Sequence, residues 1–303
     1  MTYLKTLLSK TTLSILFTLL LLASFSQLTA QDARVLVSIA PYLEIVEKLA
    51  GNKIQVEVIL PQGADAHDYE PTPKQIQRYA ESQVWFMLGE CFEKRMQTAL
   101  QSQNPNLVVC DLRTDIPLIK EVHPQHIGGY DPHIWMSPRL MILQAKTIAE
   151  TLEQAFPSPE MKEAIQNNLV KLINELEALD NEIHEQFEEL HKTHSKIIVL
   201  VAHPAYSYFC REYGITQLSI EQEGKDPSAK ELTHLLQETK KLQIKTIFIQ
   251  GPYPHKGAQL IAKEIGANLV TLNPNSAHYF QMMRQIAKEF AEATPKAILE
   301  TNP

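Results

Sequence analysis

The sequence predicts an α/β protein of two lobes, each with a parallel sheet flanked by helices, joined by one long connecting helix. Two observations predict it. Apolar strand-like runs alternate with helical patterns in two separate blocks. Between the blocks, residues 159–194 keep a helical hydrophobic period for over thirty residues with no glycine or proline after the opening Pro159.

The elements follow in order. Lys5 and Lys10 precede an apolar run over residues 13–23, and Leu28-Thr29-Ala30 offers small residues before Gln31. This is the pattern of a secretory signal peptide cleaved after Ala30. The apolar run is shorter than the roughly 20 residues a spanning helix needs, so no stable membrane anchor is expected. No cysteine follows the small residues, which argues against a lipid-anchored form. Three further segments are then expected: an N-terminal lobe over 31–157, the connecting helix over 158–194, and a C-terminal lobe over 195–303.

In the first lobe, residues 34–39 (Arg-Val-Leu-Val-Ser-Ile) read as a short buried strand, and 42–50 as a helix closed at Gly51. Residues 55–60 alternate polar and apolar, 84–88 (Val-Trp-Phe-Met-Leu) form a buried-strand run, and 107–112 form another. The second block restarts at 196–201 (Lys-Ile-Ile-Val-Leu-Val) and continues through 215–220, 246–249 and 268–272. In the connector, Ala164, Leu169, Leu172, Ile173, Leu176, Leu179, Ile183 and Phe187 recur at helical spacing. At about 1.5 Å per residue such a helix reaches roughly 50 Å, enough to run along both lobes and to restrict a large hinge motion.

Composition narrows the function. The 303 residues carry 28 Lys and Arg against 35 Asp and Glu, a formal charge of −7, and 44% are hydrophobic. That is globular composition, which excludes collagen-like, low-complexity and wholly disordered chains. The acidic balance argues against nucleic acid as a partner, since phosphate binding depends on clustered Lys and Arg. Three cysteines do not make a disulfide framework. Cys91, Cys110 and Cys210 read as small buried hydrophobes, with a Cys91–Cys110 disulfide as the alternative in an oxidising compartment.

The chemistry lies among eleven histidines. His184, His191, His194 and His234 sit in amphipathic helical patterns and read as solvated. His255 and His278, near helix starts, read the same way. His123 and His126 fall in a loop and read as exposed. Three are placed differently. His67 follows the strand ending at Leu60, His133 precedes a helix opened by Ser137-Pro138, and His203 directly follows the first strand of the second block. Ligands bind at the carboxyl ends of strands in open α/β sheets, so each could point into one interlobe cleft. Spacing alone leaves a shared role and separate structural roles both open.

The motifs around these histidines are specific together. Gly-Ala-Asp-Ala-His-Asp-Tyr-Glu-Pro-Thr-Pro (63–73), Asp-Pro-His-Ile-Trp-Met-Ser-Pro (131–138), Ala-His-Pro-Ala-Tyr-Ser-Tyr-Phe (202–209) and Glu-Gly-Lys-Asp-Pro-Ser (223–228) occur in order. The chain resembles the metal-binding solute-binding proteins of bacterial ABC importers, over essentially its whole length after residue 30. The resemblance implies a periplasmic receptor, expected to be a monomer, that delivers metal to a membrane permease and its ATPase and is not an enzyme. It implies His67, His133 and His203 as metal ligands. Manganese-type relatives carry a glutamate at the position of His203, and three neutral imidazoles suit Zn²⁺, so zinc is expected as cargo ahead of Mn²⁺ or Fe²⁺.

The chain also departs from that family. Many relatives carry an aspartate as fourth ligand where this chain has Asn273, which leaves Asn273, water or a carboxylate such as Asp65 or Glu223 as alternatives. The acidic, histidine-rich loop of many zinc receptors is reduced to His123 and His126. Asp131 and Glu70 are candidates to hold a ligand histidine in one tautomer, and Trp85 and Trp135 read as core. A secreted zinc hydrolase is the rival from another class, because three histidines with an open position also describe catalytic zinc. No His-Glu-x-x-His segment, Gly-x-Ser-x-Gly elbow or glycine-rich phosphate loop supports it. A surface adhesin with incidental metal is the second rival.

Overall fold

The computed structural model describes residues 33–64, 66, 69–120, 129–221, 227–251 and 255–294. Residues 1–30, expected to be a signal peptide, lie outside them. Strands β1 (Arg34–Val37), β2 (Gln55–Val58), β3 (Val84–Met87) and β4 (Val108–Asp111) form one sheet in the order β2-β1-β3-β4, every pair parallel. Strands β5 (Ile197–Val201), β6 (Ile215–Ser219), β7 (Thr246–Gln250) and β8 (Asn268–Leu272) repeat that plan as β6-β5-β7-β8. In each sheet the chain steps first to one side of its opening strand and then to the other. The two switch points therefore fall between β1 and β3 and between β5 and β7, where ligands gather at strand carboxyl ends. All four residues of β3 are buried, as a central strand of a covered parallel sheet requires.

Helices α1 (Pro41–Ala50), α2 (Pro73–Tyr79), α3 (Glu93–Gln103) and α4 (Pro138–Ala155) accompany the first sheet. Helices α6 (Ser207–Glu212), α7 (Ala229–Lys241), α8 (Lys256–Ile265) and α9 (Tyr279–Ala293) accompany the second. Between them runs α5 (Pro159–Thr193), 35 residues long. Its start is fixed chemically: Ser158 Oγ accepts from the Met161 N–H at 3.0 Å and Pro159 occupies the first turn. Met161, Ile165, Leu172, Leu176, Leu179, Ile183 and Phe187 form its buried stripe, with Ala164, Leu169 and Ile173 half-buried on the flank. Gly51 ends α1 with φ of +64°, a conformation in which a side chain would be strained.

One hydrophobic core runs from the first sheet through α5 into the second lobe, and a smaller one sits around Leu200, Leu235, Ile247 and Ile261. Helix α5 packs against α4, α1 and α9, and α9 also reaches α1. Aromatic rings lock this junction: Phe187 on α5 lies 5.9 Å from Phe209, which lies 4.7 Å from Tyr213 and 5.6 Å from Phe290. A polar network reinforces it. Arg139 on α4 donates through Nε to Asp180 Oδ2 on α5 at 2.8 Å and pairs through Nη1 with Glu212 at 2.8 Å. The Tyr213 hydroxyl donates to Asp180 Oδ1 at 2.9 Å.

The three cysteines are thiols. Cys210 is buried, while Cys91 and Cys110 are half-buried, and the Thr151 hydroxyl donates to the Cys110 sulfur at 3.5 Å. Among the described residues no helix is long and apolar enough to cross a membrane.

Candidate metal centre

Both lobes turn strand carboxyl ends toward one cleft. Ile39, Ala40 and residues 60–64 from the first lobe face Gln250, Gly251 and residues 273–275 from the second across a space of about 50 Å³. His67, Asp65 and Glu223 lie outside the described residues, as do His123 and His126. Gly63 and Ala64, just ahead of His67 in the chain, line the cleft.

His133 and His203 are brought together, with ring centroids 5.4 Å apart. His133 precedes a 3-10 turn over Ile134–Met136, and its Nδ1 lies 2.7 Å from Asp131 Oδ1. The same oxygen accepts the His133 backbone N–H at 2.9 Å, an Asx-turn that fixes the ring relative to its own backbone. Asp131 is 2% exposed. Burial alone pushes its carboxyl up, yet attraction to the His133 ring and hydrogen bonds from that ring, its backbone and the Ser207 hydroxyl hold it below the ordinary carboxylate range. The turn is fastened to the opposite lobe, because Trp135 Nε1 donates to the Pro274 carbonyl at 2.8 Å and the Tyr279 hydroxyl to the Trp135 carbonyl at 2.9 Å.

His203 is placed by strand register. Its Nδ1 lies 2.9 Å from Glu221 Oε2, just beyond β6. Thus each lobe presents an imidazole whose Nδ1–H is donated to a carboxylate, which leaves the lone pair on Nε2. Neutral imidazole Nε2 is a donor suited to divalent transition metals. Among the described residues no group of three His, Cys, Asp or Glu side chains is close enough to enclose a metal ion. A metal ion held between these two imidazoles would need donors beyond them.

The remaining histidines divide. His184, His234 and His278 are exposed, as a solvated reading expects, whereas the exposed His191 places Nε2 at 3.0 Å from the Tyr213 carbonyl and the half-buried His194 places Nδ1 at 3.0 Å from the Leu190 carbonyl. His255 is buried: it is 7% exposed, with Nε2 at 2.6 Å from the Gln250 carbonyl and Nδ1 at 3.9 Å from Glu221 Oε1. The expectation of a solvated His255 is thus corrected, because its ring is held against the end of β7 at the Gln250 carbonyl. Glu70 is exposed and pairs with Arg95 at 3.3 Å. Asn273 spends its Oδ1 on the Asn275 N–H at 3.1 Å. Trp85 and Trp135 are buried core residues, as expected. Glu221 escaped sequence reasoning. Its one signal is position, a carboxylate directly after a strand that pairs with the strand preceding His203.

Residues 35–293 match the model of the ZnuA family, zinc-uptake complex component A, periplasmic. The chain belongs to this family. Its members are extracytoplasmic, metal-binding substrate-binding receptors of ABC transporters, so the chain is a receptor of that kind and not an enzyme. Among solved structures it is similar to the crystal structure of ZnuA, at 31% identity and a TM-score of 0.80, covering 86% of this chain and 99% of that one. It is also similar to FpvC from Pseudomonas aeruginosa in complex with Mn²⁺, at 25% identity and a TM-score of 0.74, covering 87% and 98%. Among curated relatives, it is 28% identical over 279 residues to a protein of Chlamydia trachomatis serovar D, covering 91% of this chain and 97% of that one. The manganese ABC transporter lipoprotein PsaA of Streptococcus mitis is 24% identical, with 88% and 91% covered.

Proposed function

We propose that the chain is a periplasmic zinc receptor that captures Zn²⁺ between its lobes through His67, His133 and His203 and delivers it to an ABC permease driven by a cytoplasmic ATPase. Residues 1–30 are its cleaved signal peptide, 31–157 and 195–303 its two lobes, 158–194 the connecting helix, and it acts as a monomer. The observation that carries this reading is the pair of histidines, one per lobe, each donating Nδ1–H to a carboxylate with ring centroids 5.4 Å apart. A carboxylate behind a ligating histidine fixes the ring and raises its basicity, which a merely structural histidine does not need.

An imidazole-rich donor set favours zinc over harder ions. The fourth donor is water, a nearby carboxylate or Asn273, whose Oδ1 also accepts the Asn275 N–H. The second reading, a manganese receptor, is favoured by the likeness to PsaA and to the Mn²⁺ complex of FpvC. Calorimetric titration of chelator-stripped protein with Zn²⁺ and Mn²⁺, beside a His203→Ala variant, separates them. Tight one-to-one zinc binding that weakens in the variant, with manganese poorer, is the expected result. Tighter manganese binding overturns the choice of zinc.

A further inference from the structure

The register of the second sheet supplies His203 with more than a place. Val201 pairs with Ser219, and the ladder continues past both strand ends: the Ile220 N–H donates to the Val201 carbonyl and the Glu221 N–H to the Ala202 carbonyl, both at 2.9 Å. Glu221 therefore comes level with His203, and in-register side chains of adjacent parallel strands share a face about 4.8 Å apart. On the other side Val201 pairs with Phe248, which brings Gln250 at the end of β7 level with the same residue. The His255 ring lies between the Gln250 carbonyl and the second oxygen of Glu221.

The geometry points to Glu221, supported by His255, as the positioning residue that sets the orientation and tautomer of His203 for metal capture. The inference rests on the reading of His203 as a metal ligand and deepens it. Three neighbouring strand ends thus build one device. The carboxylate accepts Nδ1–H and so fixes the ring in the tautomer that assigns Nε2 to the metal. Its counterpart in the first lobe is Asp131, whose short side chain is 2% exposed and anchored by the His133 backbone. Glu221 has one more rotatable bond and its side chain is 23% exposed, so it needs a second wall to hold it. The His255 side chain, 5% exposed, is that wall.

The test compares wild type, His203→Ala, Glu221→Ala, Glu221→Gln and His255→Gln. Zinc affinity is read by competition with a chromophoric chelator, the d–d absorption of the Co²⁺-loaded protein reports the donor set, and circular dichroism checks the fold. Glu221→Ala is expected to weaken zinc binding about 10- to 100-fold, the usual effect of removing a carboxylate behind a ligand histidine. Glu221→Gln keeps an acceptor for Nδ1–H, so it is expected to recover most of the affinity and the wild-type Co²⁺ spectrum, which a ligating carboxylate would not allow. His255→Gln is expected to fall between wild type and Glu221→Ala. Wild-type affinity in both Glu221→Ala and His255→Gln, with His203→Ala weakened, overturns the positioning role and leaves the ligand reading intact. A Co²⁺ spectrum altered by Glu221→Gln overturns it in favour of direct ligation. Unchanged affinity in His203→Ala overturns both.

Discussion

Trp135 and Pro274, 139 residues apart in sequence, are joined by an indole N–H to carbonyl hydrogen bond of 2.8 Å, which fastens the turn after His133 to the opposite lobe. The bond is buried, so its loss leaves an unsatisfied carbonyl in the junction. Trp135→Phe is expected to lower stability by about 1–3 kcal/mol, seen as a lower urea midpoint with an unchanged slope, and to weaken zinc binding because the His133 turn loosens. An unchanged midpoint contradicts the fastening role.

The junction beneath the cleft makes a second prediction. Asp180 sits in the buried stripe of α5 and takes hydrogen bonds from Arg139 and Tyr213. Arg139→Ala is expected to cost about 2 kcal/mol, since the remaining carboxylate stays largely buried with one donor fewer. Asp180→Asn in the same background should restore part of that loss, because it removes the unpaired charge. A double variant no more stable than Arg139→Ala speaks against the pairing.

Glu93 predicts a pH dependence. It opens α3 fully buried, accepting the backbone N–H groups of Leu88, Gly89 and Glu90, and burial pushes its carboxyl from an ordinary 4.5 up to about 7 despite those donors. A raised acid binds a proton more readily folded than unfolded, so its contribution is largest below about pH 4.5 and is lost as pH rises toward about 7. Relative to Glu93→Gln, wild type should therefore lose stability on the order of 3 kcal/mol between about pH 4 and about pH 8. A constant difference across that range contradicts the buried, raised carboxyl.

Metal capture carries its own pH signature. Zinc competes with protons for imidazole nitrogen, so apparent affinity should fall as pH drops through the ordinary histidine range near about 6.5. Titration near about pH 5 and again near about pH 7.5 checks it. Equal affinity at both removes histidine from the ligand set.

Much of this architecture was legible because it is local. Residues 159–193 announce α5 through an unbroken apolar stripe, a Ser-Pro start and no internal breaker, and the alternation of buried strands with helices announces two parallel sheets. That His133 and His203 could meet was readable from their turn-forming prolines, with His203 also directly after a strand, and their rings do lie 5.4 Å apart. Glu221 and His255 were not legible, since what unites them is the register of β6, β5 and β7, a tertiary fact that no window of sequence contains. His255 misled for a related reason: a histidine before a helix looks solvated until its ring is seen against the end of a neighbouring strand. Glu70 misled in the opposite sense, as its motif position promised a role and its side chain pairs with Arg95 in solvent.

The most direct test of the central claim is X-ray absorption at the zinc edge of the loaded protein. Capture by His67, His133 and His203 predicts a nitrogen and oxygen shell at about 2.0–2.1 Å with outer-shell scattering from three imidazoles and no sulfur. Fewer than three imidazoles, or a sulfur shell near about 2.3 Å, would contradict it.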